Sequence, residues 1–228
     1  MKPAVANRRQ TPYDLALFDF DGVLFDTNRA KTEAFRRALE DYPSDLVQQF
    51  IDYHETHGGV SRYAKLQYFF DRVLAKPISA NTLEITLTRF AEIGSALMSQ
   101  ASPLPGIRDV LTRSRDADIP IAICSGGDTG EISRLLSQHS LLDFFVHIWG
   151  NEYSKLEHAK SRIAPYYRHV IFFGDSRYDL EVANAYGFEF VFVSAVTDWK
   201  EGATIAQEAG HRVIQDFNDP FLGEIWPG

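Results

Sequence analysis

The sequence predicts an α/β protein with a mostly parallel sheet and an all-helical block inserted after the first strand. Three observations carry this expectation: short apolar runs separated by helix-length segments, one long stretch with no strand, and a proline-glycine boundary where the alternation resumes. Each run is too short for a helix, and several are β-branched or aromatic, which suits strands buried on both faces.

The runs are Leu15–Phe18, Ile119–Cys124, Phe145–Trp149, Val170–Phe173, Phe190–Val193 and Val213–Ile214. Helical segments are expected over Gly106–Ala117, Gly130–His139, Leu156–Tyr166 and Asp179–Tyr186. Strands alternating with helices give a parallel sheet, whose sites lie at the carboxyl ends of strands. The stretch from Thr27 to about Ser102 breaks the pattern. There Ala34, Phe35, Ala38 and Leu39 make one helical stripe. Tyr63, Leu66, Phe69, Phe70, Val73 and Leu74 make a second, and Leu83, Leu87, Phe90, Ala91 and Gly94 a third; such stripes are packing surfaces. Pro103 and Pro105-Gly106 mark the return to the sheet. The expected division is a sheet domain over 13–26 and 102–228, a helical domain over 27–101, and a loose tail over 1–12.

The 228 residues allow one good core or a core with a modest insert, and a formal charge of −8 argues against nucleic-acid or anionic-membrane partners. The single cysteine, Cys124, excludes an internal disulfide and is expected to be a buried packing residue. Neither a secretory leader nor a membrane-spanning run is readable, so a cytoplasmic location is expected, as a monomer or homodimer.

Four groups of residues carry chemistry. Asp19-Phe20-Asp21-Gly22 follows the first strand run, and carboxylates at i and i+2 on an extended segment point the same way. Two like charges held together need a cation or a shared proton. Gly174-Asp175-Ser176-Arg177-Tyr178-Asp179 follows a later run, so Asp175 and Asp179 can face one site, where two or three carboxylates suffice for magnesium. Asp179 could equally cap a helix. Ser125-Gly126-Gly127-Asp128 follows another run; small residues let backbone N–H groups approach an anion, and Ser125 can donate its hydroxyl. A tight turn with Asp128 as N-cap and Glu131 closing a capping box is the companion reading. The fourth group is a cation for phosphoryl oxygens, Lys155 or Lys160.

Within the helical block, His54-Glu-Thr-His57-Gly58-Gly59-Val-Ser61-Arg62-Tyr63-Ala-Lys65 is the most unusual stretch. The glycines predict a loop over the site, and Ser61 an N-cap for a helix starting at Arg62. Arg62 or Lys65 is a candidate reader of an anionic substrate group, against the reading of both as solvated helix charges. His54 and His57 have metal-ligand spacing, but no third ligand is near, so zinc is not expected.

Asp19-Phe-Asp-Gly-Val-Leu-Phe-Asp26, Ser125, a lysine and Gly174-Asp-Ser-Arg-Tyr-Asp179, in that order, resemble the haloacid dehalogenase superfamily of aspartyl-phosphate hydrolases. The first and last motifs are specific; the serine and lysine gain meaning from their order. The resemblance implies a Rossmann-like core with a helical cap. It implies Asp19 as nucleophile and Asp21 as acid and then base. Magnesium is implied at Asp19, Asp21 through its backbone carbonyl, and Asp175, with Asp179 beside it. Ser125 and Lys155 would hold the phosphoryl group, with Gly22 and Gly126 as backbone substrate contacts. Neither lysine precedes proline, unlike many relatives; Lys155 is favoured because it follows Ser154 at a helix start. An acid at position 21 disfavours the dehalogenase and phosphonate-cleaving branches. A small-molecule phosphatase on a sugar phosphate or phosphoglycolate-like ester is expected. A phosphomutase and a non-catalytic phospho-ligand-binding module are the alternatives.

Overall fold

The computed structural model describes residues 12–226, so the tail expected over 1–12 lies outside the described residues except for its last position. Among these, β1 (Leu15–Phe18), β2 (Ile121–Cys124), β3 (His147–Trp149), β4 (Val170–Gly174), β5 (Glu189–Val193) and β6 (Arg212–Ile214) form one sheet in the order β3-β2-β1-β4-β5-β6. Every pairing is parallel. The order reverses at β1, and the crevice between neighbouring crossovers therefore opens at the carboxyl ends of β1, β2 and β4.

The first helices are α1 (Asn28–Ala38), α2 (Ser44–Thr56), α3 (Arg62–Tyr68) and α4 (Ala80–Met98), all between β1 and β2. Six more follow: α5 (Ile107–Asp116), α6 (Thr129–Gln138), α7 (Lys155–His158), α8 (Arg177–Tyr186), α9 (Gly202–Glu208) and α10 (Leu222–Ile225). No helix among the described residues is long and apolar enough to cross a membrane.

Alternation along each strand sends its side chains to two cores. Ala16 and Phe18 face a cluster with Val110 and Leu111 of α5, Leu136 of α6 and Trp226. Leu15 and Leu17 face the opposite cluster, with Cys124, Phe172, Phe190, and Val182 and Ala183 of α8. Cys124 is buried as expected. Helices α1 to α4 and the turn after α3 have a third cluster of their own, built on Phe35, Phe50, Leu66, Phe69, Phe70 and Phe90.

Four boundaries differ from the sequence expectation. β2 begins at Ile121 because Pro120 has no backbone donor for a ladder, although its carbonyl accepts from the Ala16 amide at 3.0 Å. β3 begins only at His147, after a 3₁₀ turn over Leu142–Phe144. The helix expected over Leu156–Tyr166 is α7 followed by a π-helical turn, Ala159–Ile163. The stripe from Tyr63 to Leu74 is likewise α3 followed by a π-helical turn, Phe69–Val73. In both, the wider turn adds a residue to the helix without breaking its buried side. Helix α2 was not anticipated, although its buried Val47, Phe50, Ile51 and His54 follow helical spacing.

Phe173 of β4 stacks on Phe18 of β1 with ring centroids 4.8 Å apart and planes 11° from parallel, both rings fully buried. Phe173→Ala would leave a cavity in the centre of the sheet's larger core. It is expected to cost about 3–5 kcal/mol in urea unfolding, whereas the exposed Tyr166→Ala should stay within about 0.5 kcal/mol.

Candidate active site

The loops that leave β1, β2, β3 and β4 converge. Asp19 follows β1 directly; its amide donates to the Phe173 carbonyl at 2.9 Å, and its Oδ1 accepts from the Phe20 amide at 2.7 Å. Ser125 follows β2, its amide bonded to the Trp149 carbonyl of β3 and its Oγ accepting from the Gly127 amide at 3.0 Å. Asp175 follows β4, and α8 starts at once behind it.

Asp179 closes the capping box of that helix, with Ser176 as the N-cap, and its other carboxylate oxygen meets Lys155. Its Oδ2 accepts from the Ser176 amide at 3.1 Å and from the Ser176 hydroxyl at 2.6 Å. Its Oδ1 accepts from Lys155 Nζ at 2.5 Å, and the same ammonium lies 2.9 Å from Asp19 Oδ2. Lys155 is placed there by α7, which opens with a Ser154–Glu157 capping box. Lys155 is 1% exposed and Asp179 0%, whereas Lys160 faces outward from the π-helical turn.

Burial dominates the electrostatics. It pushes Asp19 up to about 7, with Asp179 and Asp21 adding to the rise and Lys155 opposing it. Burial, then the charges of Asp19 and Asp179, raise Asp175 well above the usual carboxylate range. Burial acts on Lys155 in the deprotonating direction, but the charges of Asp179 and Asp19 outweigh it and hold the group as an ammonium. For Asp21 burial is again the largest single influence, yet Lys31 and the Thr27 hydroxyl more than offset it and its carboxyl is lowered.

Oxygens of Asp19, Asp175 and Asp179 lie within 4.8 Å of one another. An all-oxygen donor set of this charge suits magnesium, and a divalent cation would relieve the repulsion that raises Asp19 and Asp175. The residues fit such a cation. Asp179 fits it less directly, since Lys155 and Ser176 already engage both its oxygens.

The helical block completes the site. Thr27 Oγ1 donates to Asp21 Oδ1 at 2.6 Å, and Lys31 of α1 ion-pairs with Asp21 Oδ2. Asn28 Nδ2 donates to Asp175 Oδ2 and to the Val196 carbonyl, each at 3.0 Å. Thr197 Oγ1 donates to the Asp175 carbonyl at 2.6 Å, closing the loop after β5 onto the loop after β4. None of these four residues was singled out beforehand. The same strand-end rule that found Asp19 and Asp175 would have pointed to Thr197, and Asn28 and Lys31 stand three apart at a helix start directly after the first motif.

The site opens into a cleft lined by Asp19, Asp21, Ser125 and Asp175 from below and by residues of α1 to α4 from above. Gly126 and Gly127 line it; Gly22, Lys155 and Asp179 do not. Gly22 instead turns the chain at φ +76°, where a Cβ would sit 2.1 Å from Asp175 Oδ2. The Gly58-Gly59 loop lies over the core as expected: a Cβ on Gly126 would sit 2.4 Å from the Gly59 carbonyl oxygen, and one on Gly58 2.8 Å from Ser176 Cβ. Ser61 caps α3 through the Ala64 amide at 3.3 Å.

Two expectations change. Asp128 caps α6 through the Glu131 amide, but Glu131 does not close a capping box. Its carboxylate is drawn to Arg62 instead, with Nη1 to Oε1 at 2.9 Å. Arg62, also 3.8 Å from Asp128 and over the Phe90 ring, is therefore not a solvated helix charge; it ties α3 to α6 at the wall of the cleft. Lys65 is not a solvated charge either: it is 3% exposed and lines the cleft. His54 is buried beside it and His57 stacks on Tyr53, so the two do not form a metal pair.

The model of the haloacid dehalogenase-like hydrolases matches residues 16–193. A phosphorylated carbohydrates phosphatase of Thermotoga maritima is 24% identical over 199 residues, covering 82% of this chain and 88% of that one. Among solved structures, a predicted phosphatase from Clostridium acetobutylicum superposes with a TM-score of 0.72 at 17% identity, covering 93% of this chain and 98% of the other. A predicted phosphoglycolate phosphatase from Haemophilus somnus gives 0.69 at 17% identity, with 92% and 97% covered. The structural likenesses establish the fold.

Lys155→Met would leave the buried Asp19 and Asp179 carboxylates without their ammonium. It is expected to cost about 3–5 kcal/mol in urea unfolding without added metal, while Lys160→Met changes stability by less than about 0.5 kcal/mol. Equal effects of the two would contradict the placement of Lys155.

Proposed function

The chain belongs to the haloacid dehalogenase-like hydrolase family, and on that premise we propose that it is a magnesium-dependent phosphatase of small phosphate monoesters. The observation that carries the reading is the convergence of Asp19, Asp21, Ser125, Lys155 and Asp175 at the carboxyl ends of four parallel strands, beneath a helical roof. Residues 27–101 act as the cap of a core formed by 13–26 and 102–228. The phosphatase name of the Thermotoga maritima relative supports a phosphorylated carbohydrate as the kind of substrate.

An Asp19 carboxylate oxygen attacks phosphorus, a bond forms between them, and the bond from phosphorus to the ester oxygen breaks. The proton carried by Asp21 goes to that leaving oxygen. Asp21, now a carboxylate, takes a proton from water; the hydroxide oxygen attacks phosphorus and the bond to Asp19 breaks, releasing inorganic phosphate. Lys31 and Thr27 hold Asp21 in place and favour its carboxylate form, which suits the second half of this cycle and makes the protonated form of the first half costlier. Ser125 and Lys155 take the phosphoryl oxygens, with the amides around Gly126. Asp19, Asp175 and the backbone carbonyl of Asp21 would hold magnesium, with Asp179 orienting Lys155 behind them. Bound there, the cation supplies charge neutralisation for the phosphoryl oxygens.

An enclosed site also suits a phosphomutase, which keeps water from the intermediate and passes the phosphoryl group back to a sugar. The lid formed by Gly58-Gly59 is the observation that favours this second reading. Counting inorganic phosphate against isomerised sugar phosphate separates the two.

Purified protein is expected to hydrolyse p-nitrophenyl phosphate with magnesium and to stop in EDTA. Asp19→Asn should lower kcat by roughly 10³-fold or more, and Asp21→Ala by about 10²–10⁴-fold. Turnover that persists in Asp19→Asn would overturn the assignment of the nucleophile.

A further inference from the structure

Four basic side chains border the cleft, Lys31, Arg62, Lys65 and Arg177, and only one of them is both buried and without a carboxylate partner. Lys31 is paired with Asp21, and Arg62 with Glu131. Arg177 is exposed with its guanidinium over Trp199. Lys65 is 3% exposed, and no carboxylate among the described residues lies within ion-pair distance of its Nζ.

What meets Lys65 instead is neutral. Its Nζ donates to His54 Nδ1 at 2.7 Å and to the His54 carbonyl at 3.2 Å. An accepting Nδ1 assigns the Nε2–H tautomer, whose proton points to Thr32 Oγ1 at 3.2 Å; that hydroxyl donates in turn to the Asn28 carbonyl at 3.1 Å. Burial and the lysine's charge hold His54 well below its ordinary range, so the ring stays an acceptor. The chain from Lys65 through His54 and Thr32 reaches Asn28, the residue that also holds Asp175. Lys65 is therefore anchored through α2 and α1 while it lines the same cleft as Asp19 and Ser125.

An ammonium in such surroundings is poorly compensated. Burial is the main influence and pushes Lys65 down to about 7, and Lys31 repels it; Asp21, Asp198 and Asp175 attract it only from a distance. A buried cation of this kind gains most from an anion that enters with it. We propose that Lys65 is a specificity-determining residue, and that the preferred substrate is a phosphate monoester carrying a second anionic group that the Lys65 ammonium binds. This rests on the phosphatase reading for the reacting end of the substrate, but not for the contact with Lys65.

Binding separates the two claims. The Asp19→Asn protein, which leaves an ester intact, is titrated calorimetrically in magnesium with matched pairs. 2-Phosphoglycolate is set against 2-hydroxyethyl phosphate, and glucose 1,6-bisphosphate against glucose 6-phosphate. The first pair reads a carboxylate and the second a phosphate. In at least one pair the doubly anionic member should bind roughly tenfold to a hundredfold more tightly, as expected for a hydrogen bond to a charged group. Adding Lys65→Met should remove most of that difference, and Lys65→Arg should restore part of it. In the protein with Asp19 intact the corresponding preference would appear as a KM difference rather than a kcat difference. Thermal unfolding checks that Lys65→Met is folded; losing an uncompensated buried charge should not lower its Tm. Equal binding within both pairs, or a preference that survives Lys65→Met, overturns the inference whatever the turnover. A Lys65-dependent preference in a protein that hydrolyses no ester supports the inference and removes the phosphatase reading instead.

Discussion

Three carboxylates at the ends of two adjacent parallel strands must share one buried space with a single ammonium. Asp19, Asp175 and Asp179 would repel one another strongly in a low-dielectric interior. Lys155, held between Asp19 and Asp179, offsets part of that repulsion and leaves a net negative site at the strand ends. The surrounding architecture serves this arrangement. The capping box of α7 sets the lysine, the capping box of α8 sets Asp179, and the left-handed turn at Gly22 gives Asp175 the room that any side chain would take. A residual negative charge of this sort suits a divalent cation.

The helical block does more than cover the site. Its first helix supplies Lys31 to Asp21 and Asn28 to Asp175, so both strand-end carboxylates are held from the helical block. Arg62 and Glu131 tie α3 to α6, and the Gly58-Gly59 loop lies against Gly126 and Ser176 without side chains to hold it off. The helical block and the strand-end carboxylates are thus joined through a few polar contacts, while the apolar cluster of the block stays separate from the two clusters of the sheet. Such a boundary is polar between the two parts and apolar within each.

The strand runs, the strand-end carboxylates and the order of the motifs were legible because they rest on local rules. Apolar runs of four to five residues bury on both faces, side chains alternate, and Asp19, Ser125 and Asp175 stand one residue beyond such runs. Ser61 and Asp128 act as helix caps for an equally local reason. Less legible were the two π-helical turns and helix α2, whose outer face carries Gln and Asp and whose buried side includes a polar residue, His54.

The sequence by itself determined the sheet, the inserted helices and the identity of the four strand-end motifs, since each is a matter of pattern within a few residues. Tertiary structure alone decided which charges meet. Lys155 and Lys160 are both plausible cations five residues apart, yet only one turns inward. Glu131 closes no capping box because Arg62, 69 residues earlier, reaches it first. Lys65 looks like a surface lysine on an amphipathic helix until α2 covers it with His54. An ion pair or a buried ammonium depends on what the chain brings from far away, and nothing in the neighbouring residues records it.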